Sequence, residues 1–461
     1  MIQWIILILT VIVLIALAVS RPLWLVPLLA VAVALEISST WYPSLGQFGA
    51  MLDLVTLTRL TTVVIILTGF VRLLVKQDMR RKLGDIIRDP LTIVLFIFLL
   101  LGAISVLYSA DSGKTLVETV RLVLMFLLMV AVALLMNKKR ALIPFHAVHI
   151  TALLLAPLAF YEGITGNLIW QQEILFREQI LRVNATFVDP NIYARFIVLA
   201  IAANFVLQLT TREKQVKTVY YACLAILLAE LLLTSSRGGL ITLVVILVAA
   251  LILLPNKKAA LWVLGLGVFC GAIVLFLRPD IWDRMVSITQ GLSGDSQRLY
   301  LWKAAIAIFM DNLLVGTGLG SFQTVFLQKF SYVLSGFRDG ATLSHTSILT
   351  VAAELGMLGL IVLAAIWVIL IRKLWQYYGI SGYKGHDLKN IFDDSVNEYF
   401  AGAGYFFWVL AIFVSSQGEG RFFEDPMLWL SCAMLIAIKF SRESISKYLR
   451  GDLTLFQNKV E

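Results

Sequence analysis

Charged residues are scarce in this chain, at 15% of 461 residues. Soluble domains carry about 25%, so a soluble globular fold is excluded. Cysteine is nearly absent. The three, Cys223, Cys270 and Cys432, all sit inside apolar runs. Their spacing makes neither a disulfide framework nor a zinc site. Metal-ligand motifs are missing too. There is no His-Glu-x-x-His or Cys-x-x-Cys, and Asp280 with Asp283 is too sparse a pair to hold an ion. The phosphate-binding P-loop pattern is also absent. No metal and no cofactor is therefore expected. The start, Met1-Ile2-Gln3-Trp4, lacks the positive region of a secretory signal. Ala16-Leu17-Ala18 could be a cleavage site, but it runs straight into another apolar segment, so the segment is expected to remain.

What the chain does have is apolar length. It is 60% hydrophobic, with a mean hydropathy of +0.88. Runs of about 20 apolar residues recur, and only helices or closed barrels can span lipid. Barrel strands alternate in short segments, which these runs do not. The expected fold is all-α, a polytopic transmembrane helical bundle. Candidate spans are 3–19, 22–38, 59–76, 90–108, 116–136, 140–160, 190–209, 217–234, 237–254, 259–277, 346–371, 399–416 and 425–441. With boundaries loose by a few residues, that is about 12 to 14 spans. The first two read as a tight hairpin broken at Arg21-Pro22, since proline cannot continue a helix interior.

A net charge of +9 could suggest nucleic acid. The cations instead cluster in short loops between spans, as cytoplasmic loops do, so membrane lipids and no nucleic acid are the expected partners. One basic loop holds Arg72, Lys76, Arg80, Arg81, Lys82 and Arg88. Others are Asn137-Lys138-Lys139-Arg140, Arg212-Glu213-Lys214 with Lys217, and Pro255-Asn256-Lys257-Lys258. Arg372 to Asn390 and the tail from Lys439 complete the set. The alternate connections then face outward: 39–58, 109–115, 161–189, Thr234–Gly238, 278–345 and 417–424.

The segment 278–345 is the one long polar excursion late in the chain, and it divides the chain into 1–277, 278–345 and 346–461. It is too long for a bare connector. Trp282, Trp302, Phe309, Phe322, Phe326, Phe330 and Tyr332 argue against disorder. Leu299 to Met310 is helix-like and apolar on one side. Two or more amphipathic helices are expected on the outer membrane surface. Gly316-x-Gly318-x-Gly320 reads as a tight turn between them, since no strand–helix unit surrounds it.

Cations at outward membrane ends are the informative residues, because the desolvation of an ionisable group there must be offset. Arg195, Arg237, Arg298, Arg338 and Arg421 meet that description. Their planar, paired donors match phosphate oxygens. The alternative for each is a snorkelling or salt-bridged side chain. His345 is the outward histidine, whereas His146 and His149 lie near an inner helix end and His386 in a cytoplasmic loop. Nearby arginines would keep its imidazole neutral, as a general base requires.

These residues fall within short motifs in a fixed order. They are Phe187-Val188-Asp189-Pro190-Asn191, Ser236-Arg237-Gly238-Gly239, Arg298-x-x-x-Trp302, Gly316-x-Gly318-x-Gly320, and His345-Thr346-Ser347 followed by Glu354-Leu355-Gly356 and Gly359. In order and spacing the chain resembles the bacterial O-antigen ligase and O-antigen polymerase superfamily. Many relatives have His-Asn where this chain has His345-Thr346. The resemblance implies a glycosyltransferase of the bacterial inner membrane, with its active site facing the periplasm. It implies an inverting, metal-independent transfer from a polyprenyl-diphosphate-linked glycan donor to a lipid, glycan or protein acceptor. It puts Arg237 and Arg298 on the diphosphate, supported by Arg195, Arg338 and Arg421, and His345 at the reacting hydroxyl. A repeat-unit polymerase of the same superfamily is one alternative. A lipid-linked-oligosaccharide flippase is another, although repeated halves and interrupted helices, common in transporters, are not evident.

Overall fold

A computed structural model describes residues 1–44, 54–170, 181–253, 293–330, 344–379, 394–420 and 422–438, with isolated positions between 261 and 276. The described elements are all helical, and no strand occurs among them. In chain order they begin with α1 (Ile2–Ser20), α2 (Leu25–Val33), α3 (Leu57–Val75), α4 (Gln77–Ile87) and α5 (Pro90–Ser105). Next come α6 (Ser112–Leu135), α7 (Ile143–Thr165), α8 (Pro190–Thr210), α9 (Lys214–Leu233) and α10 (Arg237–Leu253). The last are α11 (Ser293–Asp311), α12 (Phe322–Phe330), α13 (Ser347–Gly379), α14 (Asp394–Glu419) and α15 (Pro426–Ala437).

Among the described residues, eight helices are long and apolar enough to cross a membrane, and α4 with α5 makes a ninth candidate, bent by 73°. The shorter apolar helices α2, α10 and α15 accompany them. Every expected span except 259–277 coincides with one of these helices, and 259–277 lies almost wholly outside the described residues. The protein is a multi-pass membrane protein. The break at Arg21-Pro22 is present: α1 stops at Ser20 and a 3-10 turn begins at Pro22.

Local chemistry sets several helix starts. α5, α8 and α15 each open with Asp-Pro. Asp89, Asp189 and Asp425 accept the N–H of Leu91, Asn191 and Met427 at 2.9, 2.6 and 2.8 Å. The proline fills the first helical position, where no N–H is needed. α8 is the central post. It is apolar on all sides and buried along nearly its whole length, as expected of a helix with no polar face. It packs against α7, α9, α10 and α14. On α14, the Trp408 indole donates to the Leu199 carbonyl of α8 at 2.8 Å.

The expected loop sides sort correctly to the two ends of the bundle. At one end, Lys82 Nζ donates to the Leu134 carbonyl and to the Met136 carbonyl. Lys138 pairs with Glu398 at 3.0 Å, and Lys373 with Asp89 at 2.7 Å. At the other end, Ile37 N–H donates to the Thr186 carbonyl at 3.0 Å. There too the Ala110 N–H donates to the Thr317 carbonyl at 2.9 Å, linking 109–115 to the late loop. That second end is the expected outer one.

α13 holds a feature that the sequence does not announce. Its helix is interrupted at Gly356, where φ is 63° and ψ −155°. The freed backbone groups are taken up by residues 313–318. The N–H groups of Thr317 and Gly318 donate to the carbonyls of Ala353 and Glu354 at 3.1 and 2.8 Å. The N–H groups of Met357 and Leu358 donate to the carbonyls of Leu313 and Leu314 at 2.8 and 3.2 Å. Broken helices survive at membrane depth only where neighbouring protein meets the backbone's needs in this way.

Candidate functional site

The expected surface helices of the late segment are α11 and α12. Leu301, Ala304, Ala305 and Ile308 of α11 pack with Phe322, Val325 and Phe326 of α12 and with Ala353 of α13. The glycine-rich stretch between them is a tight turn, with φ of 69°, 104° and 76° at Gly316, Gly318 and Gly320. A side chain at Gly316 would place its Cβ 2.3 Å from the Glu354 carbonyl carbon. The turn therefore presses backbone to backbone against the break in α13.

Two motifs that are far apart in sequence also dock together. Asn191, from the Asp-Pro-Asn stretch, accepts through Oδ1 from Ser236 Oγ at 2.8 Å and from Arg182 Nη2 at 2.6 Å. Arg182 Nε reaches the Thr234 carbonyl at 3.3 Å. The turn before α10 is fixed by these bonds, with Ser235 held at φ 50°. Arg237 follows as the first residue of α10.

The end of α14 is a common post for three of the expected site residues. Arg195 Nη1 pairs with Glu419 at 2.9 Å, and its Nε with Asp425 at 3.1 Å. Thr242, five positions after Arg237, meets Ser415 at 3.2 Å through their hydroxyls. The residues after His345 hold the same end: Thr346 Oγ1 donates to the Gln417 carbonyl at 3.4 Å and Ser347 Oγ to the Ser416 carbonyl at 3.3 Å. His345 itself sits in a left-handed backbone conformation, φ 58°. Arg195, the helix that Arg237 opens and the residues that follow His345 thus all contact residues 415–419 of α14. Arg298 stands on the exposed side of α11, whose packed side rests on α13. Arg338 and Arg421 lie outside the described residues.

A cleft of about 510 Å³ opens between Phe98 of α5, the first half of α6, the glycine turn, α12, the start of α13, Gly420 and Phe422 to Glu424. Its polar lining is Lys114, Glu118, Arg121, Gln323, Glu354 and Glu424. Phe98, Leu122, Phe422 and Phe423 supply apolar lining. Arg121 pairs with Glu118 at 2.8 Å and lies 3.8 Å from Glu424. Glu354 is 4% exposed and accepts the Phe322 N–H at 3.2 Å. At the rim, Asp111 caps α6 by accepting the Lys114 N–H at 3.0 Å and takes the Thr324 hydroxyl at 2.7 Å. These two donors, the backbone N–H first, hold its carboxyl below the usual range.

Sequence reasoning singled out the arginines and His345 but missed this cleft. The signal was present: Glu118 and Arg121 are ionisable residues within an apolar run. Their partner Glu424 lies three hundred positions away in the chain, so pairing gives no local pattern. Among the described residues, no group of three or more His, Cys, Asp or Glu could hold a metal ion.

Compared with known families, residues 222–364 match the family model described as O-antigen ligase. The matched stretch contains Arg237, Arg298, His345, the glycine turn and the break in α13. No curated protein matches the chain.

Proposed function

We propose that the protein is a membrane glycan-transferring enzyme of the O-antigen ligase superfamily, whose family model matches residues 222–364, and that it moves a glycan from a polyprenyl-diphosphate carrier to an acceptor hydroxyl. The family match carries this reading, because Arg237, Arg298, Arg338 and His345, all chosen from the sequence, fall inside it. The helices α11 and α12 form the outer cover of the site, packed on α13. The site faces the periplasm of a bacterial inner membrane.

The chemistry asks for two things. A departing diphosphate needs fixed positive charge, which arginines supply without a metal. Arg237 and Arg298 take that part. An acceptor hydroxyl needs a base, and His345 receives or orients its proton as the oxygen attacks the anomeric carbon. Attack from the face opposite the diphosphate inverts the anomeric centre. Diphosphate leaves readily, so no general acid is required. Arg195 already gives its donors to Glu419 and Asp425. Its part is to hold α8 against the end of α14 beside His345.

The test is incubation of the purified protein with a polyprenyl-diphosphate glycan and candidate acceptors, in excess chelator and without nucleotide sugar. The expected result is glycan transfer with release of polyprenyl diphosphate. A single transferred unit marks a ligase, and a ladder of products marks a polymerase. Movement of intact donor across a vesicle, with no new glycosidic bond, would contradict the proposal.

A further inference from the structure

We propose that the cleft between α6, the glycine turn and the start of α13 binds the acceptor as a neutral, polyhydroxylated sugar, separately from the arginines assigned to the donor. The proposal rests on the glycan-transfer reading above and adds a second subsite to it.

Charge decides the ligand class. Two cations, Lys114 and Arg121, face three carboxyl groups, Glu118, Glu354 and Glu424. The cleft has no net positive charge even with one carboxyl protonated. Both cations are also engaged. Arg121 is held by Glu118 and Glu424. Lys114 Nζ donates to Gln323 Oε1 and Thr324 Oγ1 at 3.1 Å each and lies 3.9 Å from Asp111. A diphosphate entering here would have to displace these carboxylates. A sugar would not, because its hydroxyls donate to carboxylates that keep their cationic partners. Each carboxylate offers about four acceptor positions, and Glu118, Glu354 and Glu424 use only some of them on Arg121 and the Phe322 N–H.

The walls suit a sugar as well. Phe422 and Phe423 stand edge to face at 4.8 Å, and Phe98 stacks on Phe423 at 4.1 Å. Phe98 and Phe422 are buried and brace Phe423, whose partly exposed ring offers an apolar face to the C–H side of a sugar beneath a rim of acceptors. A few placed polar groups over an aromatic lining is the usual build of a small-molecule site, and about 510 Å³ falls in the usual range of about 300–1,000 Å³. The position is right for an acceptor. Ser347, two residues after His345, lines the cleft, so the start of α13 joins the cleft to the segment that carries the proposed base.

The test is saturation-transfer NMR on the full-length protein in detergent micelles. The probes are methyl glycosides of neutral hexoses and N-acetylhexosamines, with inorganic pyrophosphate alongside. Glu424→Ala and Gln323→Ala change the rim, where side chains are partly exposed and folding is spared. The expected result is binding of at least one neutral glycoside, weakened about tenfold or more by the rim changes and unaffected by Arg237→Ala and Arg298→Ala. Pyrophosphate should respond in the opposite way. Failure of every neutral glycoside to bind, binding that survives both rim changes, or pyrophosphate binding lost through the rim changes would overturn the proposal. Pyrophosphate binding that ignores both arginine changes would sink the donor site instead, and would leave the sugar result standing.

Discussion

Glu354 accepts the backbone N–H of Phe322 at 3.2 Å, across 32 positions of chain. Two residues later the helix that carries Glu354 breaks at Gly356. The same carboxylate therefore tethers the start of α12 and faces the cleft, while the backbone beside it is completed by residues 313–318. Site and fold meet at this point.

The turn glycine that presses on the break, Gly316, should be irreplaceable. Gly316 has φ 69°, and an added Cβ would lie 2.3 Å from backbone of Glu354. Left-handed strain alone costs about 1–3 kcal/mol for a side-chain-bearing residue, and the clash adds to it. Gly316→Ala should lower the thermal midpoint in detergent sharply. Gly84→Ala, where an added Cβ meets nothing within 4 Å, should leave the midpoint in place or raise it slightly.

Arg195 should matter for stability more than for chemistry. Its side chain is 8% exposed and pairs with two carboxylates. Removing one partner of a buried ion pair costs about 3–5 kcal/mol. Arg195→Ala should destabilise by roughly that amount, and Arg298→Ala on the exposed side of α11 by far less. Chemical denaturation of both variants in the same detergent provides the comparison. Equal losses would remove the positioning role of Arg195.

Arg237 and Arg298 should fail differently. Each alanine variant is expected to lose about 2–4 kcal/mol of transition-state stabilisation, as when an oxyanion donor is removed. Lysine should rescue poorly, because a point charge lacks the paired fork. Near-normal turnover in both alanine variants at normal expression would reject the assignment.

Acid should loosen the rim through Asp111. Its folded pKa is depressed by the Lys114 N–H and the Thr324 hydroxyl. The stabilisation is therefore complete above the unfolded carboxylate pKa of about 3.9 and fades as pH falls through the lower folded value. Thermal midpoints of the wild type and of Asp111→Asn should differ at pH 6, and the difference should shrink as the pH is lowered to 3 and below. A constant difference would show that Asp111 does not act through its charge.

Much of the architecture was legible because membranes constrain it so strongly. Apolar length placed the helices, and the Lys82, Lys138 and Lys373 clusters sorted the loops to one end. The Asp-Pro starts were legible as caps. The break in α13 was not, because Leu355 to Leu370 is continuously apolar and glycine is common in membrane helices. Its cause lies in residues 313–318, whose backbone completes the interrupted helix. The cleft was hidden for a similar reason, since Arg121 meets Glu424 only after folding.

His345 carries the central claim, and its backbone makes a clean test available. With φ at 58°, the position suits glycine, which adopts that conformation without strain. His345→Gly should therefore fold normally while losing the imidazole. Donor affinity and single-turnover transfer rate, measured on the same purified variant, address the claim directly. The account predicts donor affinity close to wild type and a rate reduced about 10²–10⁴-fold. An unchanged rate in a folded variant that binds donor normally would contradict it and remove His345 from the mechanism.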